Sequence, residues 1–215
     1  MTKDPSKFWN GMAERYARSQ IPDDAAYQKK LEITQSYFRP DMQVLEIGCG
    51  TGTTSLIHAP HVAHILATDI SENMISIAKD KAAAQNVTNV TFQVSAIDEL
   101  AVAEESMDVV MAHSILHLVE DRDAVIAKAF SWLKPGGGFV ISSICMSDAL
   151  GFLRPVLPIG RMLGLLPLVR FFSEAELMAS LTDAGFNIEH QWRPKKRAAT
   201  FVIARKKRAE AINIG

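Results

Sequence analysis

The chain has only two cysteines among its 215 residues, Cys49 and Cys145. Two distant thiols make neither a disulfide framework nor a metal cluster, so no metal site is expected and a reducing, cytoplasmic setting is the default. Net charge is also nearly absent, −1 at pH 7, which excludes a global attraction to nucleic acid and leaves any basic surface local. No uncharged apolar run reaches the roughly 18 residues that a membrane-crossing helix needs. The opening residues 1–7 lack an apolar stretch and a small-residue cleavage site, so no secretory leader is expected. Repeats and low-complexity segments are missing too. What remains is ordinary: 48% hydrophobic and 22% charged residues, in a length suited to one domain spanning 1–215.

The strongest local signal is the stretch from Val44 to Gly52, Val-Leu-Glu-Ile-Gly-Cys-Gly-Thr-Gly. A short apolar run ends in Gly48, Gly50 and Gly52, and Thr53 onward reads as a helix start. Glycines at alternate positions let a ligand press on backbone where the helix offers unpaired N–H groups. The dinucleotide fingerprint would need glycine where Thr53 stands, and the Gly-Lys-Ser/Thr ending of a P-loop is missing. A carboxylate inside the strand, Glu46, would repel a phosphate and suits a cationic ligand.

Around this loop the chain reads as alternating strands and helices. His64–Asp69 is a second strand ending in an acid, and Ser71 can cap the helix that follows, which frees Asp69 to act as a ligand. Asp69 lies 19 residues beyond Gly50, about where a strand-end carboxylate meets a ribose diol. Val90–Val94, Met107–Ala112 and Phe139–Ser142 continue the series. His113 and His117 cross the carboxyl end of the fourth strand, where ligands of open parallel sheets sit. A capping box from Ser173 opens a last helix, followed by a hairpin of residues 187–192 and 199–205. These units imply a doubly wound α/β sheet with helices on both faces.

The Glu-x-Gly-x-Gly-x-Gly loop, Asp69 and the Leu-Lys-Pro-Gly-Gly run at 133–137 together make the chain resemble the class I S-adenosylmethionine-dependent methyltransferases, over roughly Tyr37 to Arg205. The broad subgroup that includes quinone-ring methyltransferases is closest in pattern, since Phe172–Leu177 and Ala184–Phe186 also fit it. The resemblance implies a seven-stranded, Rossmann-like, mostly parallel sheet with one antiparallel edge strand. It implies S-adenosyl-L-methionine as cofactor, near Tyr16, Glu46, Gly48, Cys49, Gly50, Gly52, Asp69, Ile70, Met74 and His113. Where the family commonly has an Asp against the adenine, this chain has Ala96. Either the backbone of Ala96 and Ile97 or the side chain of Asp98 takes that place, and the backbone is favoured.

The acceptor is read as a small, apolar or lipid-like molecule with an O, N or C nucleophile, and His113 or His117 could serve as base. A nicotinamide oxidoreductase is the second reading, weakened because Tyr16, Tyr27 and Tyr37 are followed four places on by Gln20, Leu31 and Asp41 rather than Lys. Binding of the cofactor without catalysis is the third.

Residues 1–38 are expected to form a helical cap whose aromatic stripe, Phe8, Trp9, Met12 and Tyr16, belongs to the core. Residues 145–172 form an apolar insert with Phe152, Leu153, Leu157, Met162, Leu165 and Leu168. It reads as a pair of short capping helices, as a lid on the acceptor pocket, or as a peripheral membrane contact through 149–170 anchored by Arg154, Arg161 and Arg170. The basic clusters Lys195–Arg197 and Arg205–Arg208 lack interleaved aromatics and read as a solvated turn and tail, with no nucleic-acid partner.

Overall fold

The computed structural model describes residues 5–150, 166–195 and 197–208. Seven strands form one sheet in the order β3-β2-β1-β4-β5-β7-β6. They are β1 (Gln43–Ile47), β2 (His64–Asp69), β3 (Val90–Val94), β4 (Met107–His113), β5 (Leu133–Ser143), β6 (Phe186–Trp192) and β7 (Thr200–Lys206). The pairs β1–β2, β1–β4, β2–β3 and β4–β5 are parallel. β7 runs antiparallel to both β5 and β6, so the antiparallel strand of the edge pair stands one place in from the edge.

Four of the helix starts have a side-chain cap. Asp23, Ser71 and Asp121 accept backbone N–H bonds as N-caps of α2 (Asp24–Gln35), α4 (Glu72–Ala84) and α5 (Arg122–Trp132). Ser173 and Glu176 form the expected capping box before α7 (Glu174–Asp183). The run after Trp132 departs from a simple helix stop. Leu133 already pairs with Met107 and Gly138 with Val109, so the Lys-Pro-Gly-Gly segment bulges out of a strand that has begun. Proline and glycine are tolerated there because a bulge leaves their backbone out of the ladder.

The sheet is buried on both faces. One face, including Leu45, Val110, Phe139 and Ile141, packs against α5 and α7; the other, including Val44, Met111, Val140 and Phe201, packs against α3 (Thr53–His58) and α4. α1 (Pro5–Arg18) corrects the expectation that its aromatic stripe is core. Ala13 is its one buried residue, and Trp9 and Tyr16 instead line a cleft. Asn10 clasps α1 onto the start of α4: its Oδ1 accepts from Ser71 Oγ at 2.6 Å, and its carbonyl accepts from Asn73 Nδ2 at 3.1 Å.

The insert is described only at its two ends, where α6 (Met146–Leu150) leaves the sheet and residues 166–173 return. The expectations for Phe152, Leu153, Arg154, Leu157, Arg161, Met162 and Leu165 lie outside the described residues. The ends are tied together, since Ser147 N–H donates to Phe172 O at 3.1 Å and Glu174 N–H to Asp148 Oδ2 at 3.0 Å.

Candidate functional site

A cleft of about 740 Å³ opens at the carboxyl ends of β1, β2 and β4 and is flanked by α1. Its lining gathers Tyr16, Gly48, Gly50, Asp69, Ile70, Met74, Ala96, Ile97, His113 and His117 from five separate stretches of sequence. Of the residues read as cofactor contacts, Glu46, Cys49 and Gly52 are the ones outside that lining.

The glycines divide by task. Gly50 has a φ of +54°, and a Cβ there would meet only the Tyr16 ring at 3.4 Å, so its backbone faces the cleft. Gly52 has a φ of +72°, and a Cβ there would lie 2.6 Å from Phe92 and 2.8 Å from Ala78. It serves the packing of the loop on the sheet rather than the cleft surface.

Beneath the loop, Glu46 is 2% exposed and accepts a hydrogen bond from Ser55 of α3. Burial raises its pKa to about 7, against the Ser55 bond and with some help from the charge of Asp69. A carboxyl held near neutrality in this way becomes fully ionised when a cation arrives nearby. Cys49 donates its N–H to Thr68 O at 2.9 Å, and burial keeps its thiol protonated, pushing its pKa well above the ordinary range.

Asp69 accepts from the Gly50 N–H and from the Ser71 N–H, each at 2.9 Å. The two bonds fix the carboxyl across the mouth of the loop and leave lone pairs open, since a carboxylate offers about four acceptor sites. Burial raises its pKa, while the N–H groups of Ser71, Gly50 and Ile70 oppose the rise. Met74 is 2% exposed and closes the wall beside it.

On the next wall, Lys128 of α5 holds the loop after β3. Its Nζ donates to Ile97 O at 3.3 Å, to Asp98 O at 3.0 Å and to Asp98 Oδ1 at 3.4 Å. Asp98 lines the cleft beside Ala96 and Ile97, with its side chain 88% exposed and paired with Lys128.

His113 and His117 stand at the other end. His113 Nε2 is sealed from solvent without a hydrogen-bond partner, and burial first, then the charge of Lys30, lowers its pKa to about 4. His117 Nδ1 lies 3.4 Å from Ser143 Oγ, and burial lowers its pKa to about 4. Its carbonyl accepts from Arg170 N–H at 2.8 Å, which brings the returning insert to the cleft, where Leu168 joins the lining. Ser114, between them, has a φ of +56° and donates its N–H to Ser142 O at 2.7 Å. A left-handed serine at a cleft edge is the kind of local strain that marks functional loops.

Trp9, Ser95, Leu118 and Val119 also line the cleft and stand outside the expected site residues, as does Leu168, which belongs to the insert expected as a lid. The stretch just past β4 was the signal for Leu118 and Val119; the helical stripe marked Trp9, but as core rather than as cleft wall.

A family model described as a methyltransferase domain matches residues 38–208. Phosphoethanolamine N-methyltransferase 1 of Triticum aestivum is 34% identical over 106 residues, covering 49% of this chain and 21% of that protein. Demethylmenaquinone methyltransferase of Symbiobacterium thermophilum is 27% identical over 155 residues, covering 69% of this chain and 60% of that one. The chain thus spans between a fifth and two thirds of the length of these curated relatives. Among solved structures, an S-adenosylmethionine-dependent methyltransferase of Methanosarcina mazei aligns at a TM-score of 0.68 with 24% identity, over 82% of this chain and 98% of that one. The [4+2]-cyclase SpnF aligns at 0.71 with 19% identity, over 84% and 81%. At these identities the structures show a shared fold, which by itself hosts more than one chemistry.

Proposed function

The chain belongs to the methyltransferase-domain family, and on that premise we propose that it transfers a methyl group from S-adenosylmethionine to a small, apolar or lipid-like acceptor. The observation that carries the reading is the pairing of Gly50 with Asp69: a backbone N–H bonded at 2.9 Å to a strand-end carboxylate, both on the cleft wall. The nicotinamide alternative is disfavoured by Thr53, which stands where a dinucleotide loop needs its third glycine.

The residues fit the cofactor. Gly50 offers a surface without a side chain, Asp69 keeps lone pairs for a ribose diol, and Glu46 supplies negative charge beneath a cationic centre. Ala96, Ile97 and Met74 offer a flat, mostly apolar wall for a base. When bound, the cofactor supplies a methyl group made electrophilic by its sulfonium. The protein's part is then chiefly positioning.

Toward the acceptor, Trp9, Ile115, Leu118, Val119 and Leu168 make the cleft apolar, which supports an apolar substrate. His113 and His117 are neutral near pH 7 and accept or donate one hydrogen bond each. With pKa values near 4 they bind a proton weakly, so they orient an acceptor better than they deprotonate it. No helix among the described residues is long and apolar enough to cross a membrane.

Incubation with S-adenosylmethionine and a panel of quinols, phenols, acids, amines and thiols tests the reading. The expected result is S-adenosylhomocysteine released with at least one apolar acceptor. Cofactor binding with no turnover of any acceptor would favour the non-catalytic reading instead.

A further inference from the structure

His113 and Ser142 are register partners in the parallel pair β4–β5. Their side chains therefore leave the sheet on the same face, on strands about 4.8 Å apart. From α2, Lys30 reaches across and donates from Nζ to Ser142 Oγ at 2.9 Å. An ammonium carries three donors. Among the described residues Ser142 is its one hydrogen-bond partner and no acid forms an ion pair with it. The carboxylate whose charge it feels, Asp23, caps α2 through the Ala26 N–H and pairs with Lys195. Burial disfavours the charge on Lys30.

Beside it stands His113, whose Nε2 has no partner and whose ring lines the cleft. The other charged or titratable group facing His113 is His58, itself buried and neutral with its pKa lowered to about 3. A half-buried cation with unused donors and a sealed imidazole nitrogen thus stand together, and among the described residues no acid forms an ion pair with Lys30, although Glu120 and Asp121 line the same cleft. Leaving such groups unpaired is costly, and a ligand oxyanion would offset the cost.

We propose that His113, with Lys30 on Ser142 beside it, forms a seat for an acidic oxygen of the acceptor, a carboxylate or an oxyanion of like geometry. The inference rests on the methyltransferase reading. Position assigns the seat to the acceptor rather than to the cofactor: Asp69 lies on β2 and the glycine loop follows β1, while Ser142 lies on β5, three strands from Asp69, or about 14 Å at the usual strand spacing. His113 lines the cleft while Lys30 and Ser142 stand behind that lining, and the flexible stem of Lys30 lets its ammonium reach the ligand.

Calorimetry on Lys30→Met and Lys30→Arg tests the seat, with benzoate and its neutral isostere benzamide as probes of the S-adenosylhomocysteine-saturated protein. The unsubstituted protein should take benzoate about tenfold more tightly than benzamide, the value of one charge-assisted hydrogen bond. Lys30→Arg should keep that preference and Lys30→Met should lose it, with S-adenosylhomocysteine affinity unchanged in both. Equal or undetectable binding of the two probes, or a preference that survives in Lys30→Met, would overturn the seat. A Lys30→Met protein that loses S-adenosylhomocysteine affinity would hand the cation to the cofactor's own carboxylate and overturn the assignment to the acceptor. Failure of the unsubstituted protein to bind S-adenosylhomocysteine would sink the methyltransferase reading itself, before the seat is reached.

Discussion

The two ends of the cleft are built differently. At the β1–β2–β3 end, the ligand-facing groups come from short, contiguous stretches: Gly48 and Gly50 in one turn, and Asp69 to Met74 in another. Backbone N–H bonds fix them, with Asp69 held by both Gly50 and Ser71. At the β4–β5 end, the groups come from α2, the β4 edge, β5 and the returning insert. Lys30 and Ser142 are 112 residues apart in sequence. Side chains such as Lys30 and Ser142 join those parts, alongside the backbone bonds of Arg170 to His117 and of Ser114 to Ser142. A donor common to a whole family can be held by rigid local motifs, while an acceptor that varies among members is met by parts free to vary.

Substitutions should expose that contrast, beginning with the packing of the donor end. Gly52→Val places a branched side chain at a φ of +72° against Phe92. Strain and overpacking together should cost about 3–5 kcal/mol, seen as a large fall in Tm by calorimetry. A Tm within error of the unsubstituted protein would remove the packing role assigned to this glycine.

Asp69→Ala should come next. It frees the Gly50 and Ser71 N–H groups and removes the proposed ribose ligand, so S-adenosylhomocysteine affinity should drop roughly 30- to 100-fold at two charge-assisted bonds. The fold should survive. His113→Gln, at the other end, should leave that affinity within about twofold while reducing turnover; equal losses for both substitutions would erase the distinction between the ends.

Glu46 gives a smaller effect with a definite sign. Its folded pKa, near 7, lies above the ordinary 4.5, so its stabilising contribution is full below pH 4.5 and is lost as pH rises through about 7. Glu46→Gln should therefore raise the Tm of the free protein at pH 8, by the equivalent of about 1–2 kcal/mol, and leave it little changed at pH 5. The same substitution should weaken cofactor binding. His58, His113 and His117 act in the opposite sense. Their lowered pKa values mean that stability is lost as pH falls from about 6.5 toward 4.

The smallest effect expected is that of Lys128→Met. Loosening the Ile97–Asp98 backbone should weaken S-adenosylhomocysteine about fivefold, near 1 kcal/mol. Lys128→Arg should recover part of the loss, and no change in either variant would show that the loop holds its shape unaided.

How far the sequence could be read follows the same division. The capping residues Ser71 and Ser173 and the positions of Asp69 and Met74 were legible because each rests on residues a few places apart. Glu46 and Gly52 were read as cofactor contacts, yet they lie beneath and behind the loop, outside the cleft lining, on Ser55, Phe92 and Ala78, which no motif connects to them. The stripe of α1 has helical spacing whether it faces a core or a cleft. Only its clasp through Asn10 to Ser71, 61 residues away, shows which. Lys30 carried no signal, because a lysine on an amphipathic helix ordinarily faces water.

The glycine turn and Asp69 are proposed as the site for S-adenosylmethionine. Isothermal titration of the unsubstituted protein with S-adenosylhomocysteine tests it most directly. Saturable binding at one site per chain, lost in Asp69→Ala, is the predicted result; a flat titration of folded, unsubstituted protein would contradict it.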